Sequence, residues 1–254
     1  MMKENQYKLG LVSVSFRSHT PGEILEAAKK AGLSCIEWGS DIHAPCTDLE
    51  RLKEIAAMQK EYGIYCSPYG TYFRIGETPM EELVDYIQAA KILGTDILRL
   101  WCGGKSGREM CEEERNSLLS VCRSAAGIAR QHGVTLCMEC HYKTFTENPD
   151  DAVWLIESVN QPNFRMYWQP FQRQTPLQNI ANAQKIAPYA AHIHVFNWRE
   201  SQKFPLAQAA EEWRAYLRQF STPRTLLLEF MPNGTITELT AEAAALRMIT
   251  GESI

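Results

Sequence analysis

The 254-residue chain lacks the features that mark several large function classes. It has no excess of positive charge: 26 Lys and Arg stand against 30 Asp and Glu, a net charge of −4. Nucleic acid or an anionic membrane surface as partner favours a basic face, so neither is expected. No stretch approaches the roughly 20 apolar residues of a membrane span. The opening MMKENQYKLG holds no apolar run, so no secretory signal is expected there. Histidine is scarce, at six residues. Linkers, charge blocks and low-complexity segments are missing as well. Cysteine is present eight times, but Cys35, Cys46, Cys66, Cys102, Cys111, Cys122, Cys137 and Cys140 are scattered, many in strand-like runs. Scattered thiols suit a reducing cytoplasm better than a disulfide framework.

What the chain does have is a regular alternation of short β-rich runs and longer helical stretches. Strands are expected near Leu9–Ser15, Cys35–Trp38, Ile64–Tyr69, Asp96–Trp101, Val134–Cys140, Phe164–Trp168, Ala190–Phe196 and Arg224–Phe230. Thr20-Pro21, Asp48, Pro79, Cys111, Asn148-Pro149, Thr175-Pro176, Ala207 and Ala241 open the helices between and after them. Gly32, Gly63, Gly94 and Gly133 each fall between a helix and the next strand, where a left-handed residue ends the helix. Eight βα units without a break predict one (β/α)8 TIM barrel, a single domain over residues 1–254. The rival is an open, doubly wound sheet.

Buried parallel strands are nearly all apolar, so charged residues late in them need a cause. Here Glu37, Arg99, Glu139, His141, Gln169, His192, His194 and Glu229 all lie near strand C-termini, where this barrel class carries its chemistry. Glu139 and His141 are two apart and share a face, as do His192 and His194. Glu229 follows three leucines, an odd place for an unpaired charge. Two carboxylates, one imidazole and one amide oxygen make an N/O donor set suited to Mn2+, Mg2+, Co2+ or Zn2+.

Leu136–His141, Met166–Pro170, His192–Trp198 and Leu226–Glu229 resemble the xylose isomerase-like barrels of sugar and sugar-phosphate isomerases and epimerases. In members similar to ketose 3-epimerases, one divalent metal is held by Glu, Asp, His and Glu on the last four strands. Carried over by position, the resemblance implies Glu139, Gln169, His194 and Glu229 as ligands, with Mn2+ foremost. Gln169 departs from the Asp of many relatives and removes one negative charge. The resemblance also implies that Glu139 and Glu229 exchange protons with a sugar through an enediolate, giving an epimer or an aldose–ketose isomer.

His141 and Arg199 are candidates for substrate oxygens. Trp38, Trp101, Trp168 and Trp198 fall at or just past strand ends, where aromatic faces can pack on a sugar. Lys105, His43 and Arg74 are loop candidates, and Glu37 and Arg99 form either a substrate contact or an ion pair across neighbouring strands. Gly103-Gly104-Lys105-Ser106 is not a nucleotide loop, because Arg99 stands where its first glycine belongs. Cys137 and Cys140, three apart on a strand, face opposite sides and read as packing. The partner expected is a small sugar or sugar phosphate, in a possible homodimer or homotetramer. Three other functions compete: a lyase or dehydratase on keto-sugars at the same site, a non-catalytic sugar-binding or partner subunit, and a nuclease. The nuclease requires more His and Asp and a basic groove.

Overall fold

A computed structural model describes Tyr7–Gly251. Eight parallel strands close into a barrel: β1 (Lys8–Val12), β2 (Cys35–Gly39), β3 (Tyr65–Ile75), β4 (Ile97–Cys102), β5 (Thr135–Glu139), β6 (Phe164–Trp168), β7 (Ala190–Val195) and β10 (Thr225–Leu228). Pairing of β10 with both β7 and β1 shuts the ring. A short antiparallel ribbon, β8 (Trp198–Arg199) and β9 (Gln202–Lys203), leaves the barrel after β7. The open-sheet alternative is excluded by the closure. Among the described residues no helix is long and apolar enough to cross a membrane.

The helices are α1 (Pro21–Lys30), α2 (Leu49–Tyr62), α3 (Glu82–Leu93), α4 (Glu112–Gln131), α5 (Pro149–Val159), α6 (Pro176–Ile186), α7 (Ala210–Leu217) and α8 (Leu239–Thr250). Their ends follow local chemistry. Thr20 and Glu23 form a reciprocal capping box at α1, and Thr175 with Gln178 repeats it at α6. Gly63 and Gly94 end α2 and α3 at φ of 70° and 81°, a conformation that costs most side chains energy.

Several boundaries differ from expectation. β1 stops at Val12, because Ser13–Phe16 turn into a 3-10 helix and Ser13 Oγ takes the Gly39 N–H that a longer strand would bond. β3 runs on to Ile75, where Arg74 and Ile75 pair with Trp101 and Cys102 after a register shift. α3 begins at Glu82, three residues past Pro79. A 3-10 turn at Leu206–Ala209 precedes α7, which therefore begins at Ala210 rather than Ala207.

Two apolar layers position the site. The larger lies between strands and helices, where outward residues such as Leu11, Ile36, Leu98, Leu136, Met166 and Leu226 meet the helix faces. The smaller plugs the barrel itself and contains Val12, Cys35, Cys137, Tyr167 and Leu227. Strand side chains alternate, so the next inward residues above this plug are Glu37, Glu139, Gln169 and Glu229, each two positions further along. The polar set therefore stands one layer above an apolar floor, at the C-terminal mouth.

Candidate active site

The inward layer converges on His194. Its Nδ1 lies 3.2 Å from Gln169 Oε1, 3.5 Å from Glu139 Oε1 and 3.6 Å from Glu229 Oε2. The structure thus brings together all four residues singled out as ligands. On the other side of the ring, Nε2 is 3.0 Å from Glu37 Oε2. Among the described residues no group of three or more His, Cys, Asp or Glu side chains is so placed that these alone could hold a metal ion. What the cluster has is oxygen atoms turned on one imidazole nitrogen.

Its members differ in support. Glu139 accepts a hydrogen bond from Trp101 Nε1 at 2.7 Å and faces Arg99 Nη1 at 3.3 Å. Burial works against its charge, but Arg99 and His194 outweigh it and hold the carboxyl well below the usual range. Glu37, wholly buried, is also held low: burial opposes its charge, and His194 and Arg99 overcome that. Glu229 has no such backing. Burial, reinforced by Glu139 and Glu37 against the pull of His194, pushes its carboxyl up to about 7. For His194, burial disfavours the imidazolium, yet Glu229 and Glu37 raise it well above the ordinary histidine range.

Glu37 and Arg99 do pair, at 3.1 Å. They stand on β2 and β4, however, with β3 between them, so the pair spans a strand rather than joining neighbours. Tyr167, not singled out from the sequence, donates its hydroxyl to Glu37 Oε2 at 2.9 Å. It lies two residues before Gln169, and that spacing was the available signal. Tyr72 was also missed, because β3 runs past its expected end; its ring meets Trp101 edge-on at 5.0 Å.

The other candidates divide. Trp101 and His141 stand together at the mouth, ring centroids 5.1 Å apart, and the Nδ1 of His141 lies 2.7 Å from the Tyr142 carbonyl oxygen. Arg74 stacks over Trp101 at 4.9 Å while pairing with Glu77. Trp198 sits at the rim against Phe230, with centroids 5.3 Å apart. Trp168 points the other way, buried against Trp213, Tyr216 and Phe220 on the outer side of β6. Trp38 is likewise buried outside the barrel and donates to Gln59. His43 is buried beside Ser13. Lys105 pairs with Glu114 on α4, and Arg199 with Glu212 on α7, so neither is directed at the carboxylates. A cavity of about 730 Å3, lined by Phe171, Trp198, Arg199 and Trp213 among others, lies beside the mouth and does not contain them.

A family model described as xylose isomerase-like TIM barrel matches residues 25–220. The chain belongs to this family. A 3-dehydroshikimate dehydratase of Bacillus anthracis is 21% identical over 207 residues, covering 75% of this chain and 71% of that protein. Among solved structures, a xylose isomerase-like TIM barrel protein from Mycobacterium smegmatis in complex with magnesium superposes with a TM-score of 0.71. It is 16% identical and covers 99% of both chains. A D-psicose 3-epimerase from Clostridium cellulolyticum, solved with D-tagatose, gives a TM-score of 0.68 at 12% identity, covering 97% of this chain and 100% of that one. These structural likenesses show the shared fold.

Proposed function

We propose that this family member is an enzyme acting on a small sugar or sugar phosphate, moving a proton beside a carbonyl with one divalent cation bound. The observation that carries the reading is the cluster around His194 Nδ1, where three oxygens from β5, β6 and β10 ends face one nitrogen. Oxygens so placed repel one another unless a positive charge lies among them; without metal the His194 imidazolium supplies it, and a bound cation would take over that part. Their distances from the nitrogen, 3.2 to 3.6 Å, approach the roughly 3.3–3.6 Å between tetrahedral corners on bonds of about 2.0–2.2 Å. Gln169 contributes an oxygen, because its Nε2 is committed to the Cys140 carbonyl at 2.9 Å. The donor set fits a divalent ion of oxygen and nitrogen preference; Mn2+ is proposed first, with Mg2+, Co2+ and Zn2+ able to use the same residues.

Glu139, Gln169, His194 and Glu229 would hold the cation, which supplies Lewis-acid stabilisation of the charge that develops on the substrate oxygen. Glu229, unanchored and 12% exposed, faces the mouth and takes up the carbon-bound proton. Glu139 serves as the second proton-transfer group, oriented by Trp101 and Arg99. For an epimer Glu139 enters the step carrying a proton drawn from solvent and delivers it to the opposite face, while Glu229 leaves carrying the one it took. For an isomer Glu229 returns its own proton to the neighbouring carbon. Trp101 and His141 border the substrate.

A second reading, a dehydratase at the same residues, is favoured by the B. anthracis relative and by the asymmetry between the two glutamates. Incubation with keto-sugars in deuterated water separates the two: deuterium uptake without other mass change supports the first, and loss of water the second. No exchange and no product on any keto-sugar, from protein saturated with Mn2+, would overturn both. Eight free cysteines support a reducing compartment such as the cytoplasm.

A further inference from the structure

Glu37 holds no place among the four donors, yet it is the most fully bonded carboxylate in the cluster. Its Oε1 accepts from Arg99 Nε at 3.1 Å, and its Oε2 faces both the Tyr167 hydroxyl at 2.9 Å and His194 Nε2 at 3.0 Å. A carboxylate offers only acceptor sites, so each partner must present a hydrogen. His194 Nε2 therefore carries a hydrogen. The imidazolium that the metal-free cluster favours carries one on Nδ1 as well, toward Gln169, Glu139 and Glu229. When the ring is neutral it keeps a single N–H, and the shorter contact to Glu37 holds it on Nε2, leaving the Nδ1 lone pair for a cation.

This arrangement depends on a gap in β3. Gly70 lies between Gly39 of β2 and Arg99 of β4 in the ladder. A Cβ there would stand 2.4 Å from Glu37 Oε1 and 3.1 Å from Arg99 Nη2. The ion pair crosses β3 only because this strand position carries no side chain.

We propose that Glu37 is a positioning residue that selects Nδ1 of His194 as the cation-facing atom, and that Gly70 provides the space in which Arg99 holds Glu37 in place. The inference rests on the metal reading above for its purpose, but the ring's protonation pattern can be measured without metal. In metal-free protein labelled with [15N]histidine, at a pH alkaline enough to neutralise His194, the wild type retains hydrogen on Nε2. Glu37→Gln loses that preference, and Gly70→Ala, which displaces Glu37 by crowding, does the same. Calorimetric titration with Zn2+ shows each variant weakened by about 10–100-fold, the usual effect of losing an outer partner of a ligating histidine.

Hydrogen on Nδ1 in the wild type overturns the proposal, as does zinc binding by folded Glu37→Gln or Gly70→Ala as tight as the wild type's. If Glu37→Gln does not fold, Gly70→Ala decides alone, and the wild-type spectrum decides if neither folds. A wild-type ring with hydrogen on Nε2 in protein that takes up no zinc sustains the positioning of His194 and removes the metal reading instead.

Discussion

Glu139 and Glu229 flank the same nitrogen of His194, at 3.5 and 3.6 Å, but only Glu139 is gripped from behind, by Trp101 and Arg99. One carboxylate is held ionised and fixed, while the other is held high and left free to take a proton. Environments that push two acids apart are how paired carboxylates acquire different roles. Glu229→Gln and Glu139→Gln are each expected to lower substrate proton exchange by about 10²–10⁴-fold, the usual contribution of a positioned acid or base. Deuterium incorporation measured by mass spectrometry checks this. Turnover near that of the wild type in both variants would remove these residues from the chemistry.

The same asymmetry predicts a pH dependence of stability in the metal-free protein. Glu229 titrates at about 7 in the folded chain, against 4.5 for an ordinary glutamate. Between these values the folded state keeps a proton that the unfolded state has released, so stability falls as pH rises. The contribution is complete below about 4.5 and gone above about 7. The difference in Tm between EDTA-treated wild type and Glu229→Gln should therefore shift against the wild type across this window. A shift in its favour would contradict the assigned environment. Saturation with a divalent cation, which replaces the proton, should flatten the dependence.

Much of this architecture is legible in the residues because the repeat is simple. Helix caps such as Thr20-Pro21 and left-handed stops such as Gly63 mark the βα units, and a charge after Leu226-Leu227-Leu228 has no purpose except at a barrel mouth. Phase along a strand was the finer signal. Trp101 is two residues beyond Arg99 and points inward with it, whereas Trp38 and Trp168 are one residue from Glu37 and Gln169 and point outward. Nearness to a strand end suggested four tryptophans at the mouth; alternation separates Trp38 and Trp168 from them. The Glu37–Arg99 pair across β3 was harder to foresee. It depends on an empty position at Gly70, and no periodicity reveals which strand residue must be missing a side chain.

That phase difference can be tested directly. Trp168→Ala removes a ring packed on Trp213, Tyr216 and Phe220, and is expected to cost about 3–5 kcal/mol of stability. KM of the remaining folded protein should not change. Trp101→Phe keeps an aromatic ring, though a smaller one, and deletes the hydrogen bond to Glu139, at a cost of about 1.5–3 kcal/mol in the interaction with that charge. At roughly 2–4 °C per kcal/mol Tm should fall by several degrees, and kcat should fall with it, unlike in Trp168→Ala. Thermal melts and steady-state kinetics on both variants distinguish these roles, and a raised KM with unchanged Tm in Trp168→Ala would place that ring in contact with substrate.

Gln169 provides the sharpest test of the donor set. Its amide is oriented by one hydrogen bond, Nε2 to the Cys140 carbonyl at 2.9 Å, which leaves Oε1 toward His194. Gln169→Glu preserves length and shape but replaces that donor with an oxygen facing the carbonyl, and brings a further negative charge beside Glu139 and Glu229. Both changes disfavour the metal-free fold. A loss of about 1–3 kcal/mol for the stranded buried acceptor is expected. At roughly 2–4 °C per kcal/mol for a chain of this size, Tm should drop by several degrees. A divalent cation reverses the sign of the new charge's effect, since the donor set then carries three negative charges instead of two. The metal-induced rise in Tm should accordingly exceed that of the wild type at the same Mn2+ concentration. A variant that melts lower without metal and gains more with it identifies residue 169 as facing the cation. Equal gains in the two proteins would place the cation elsewhere.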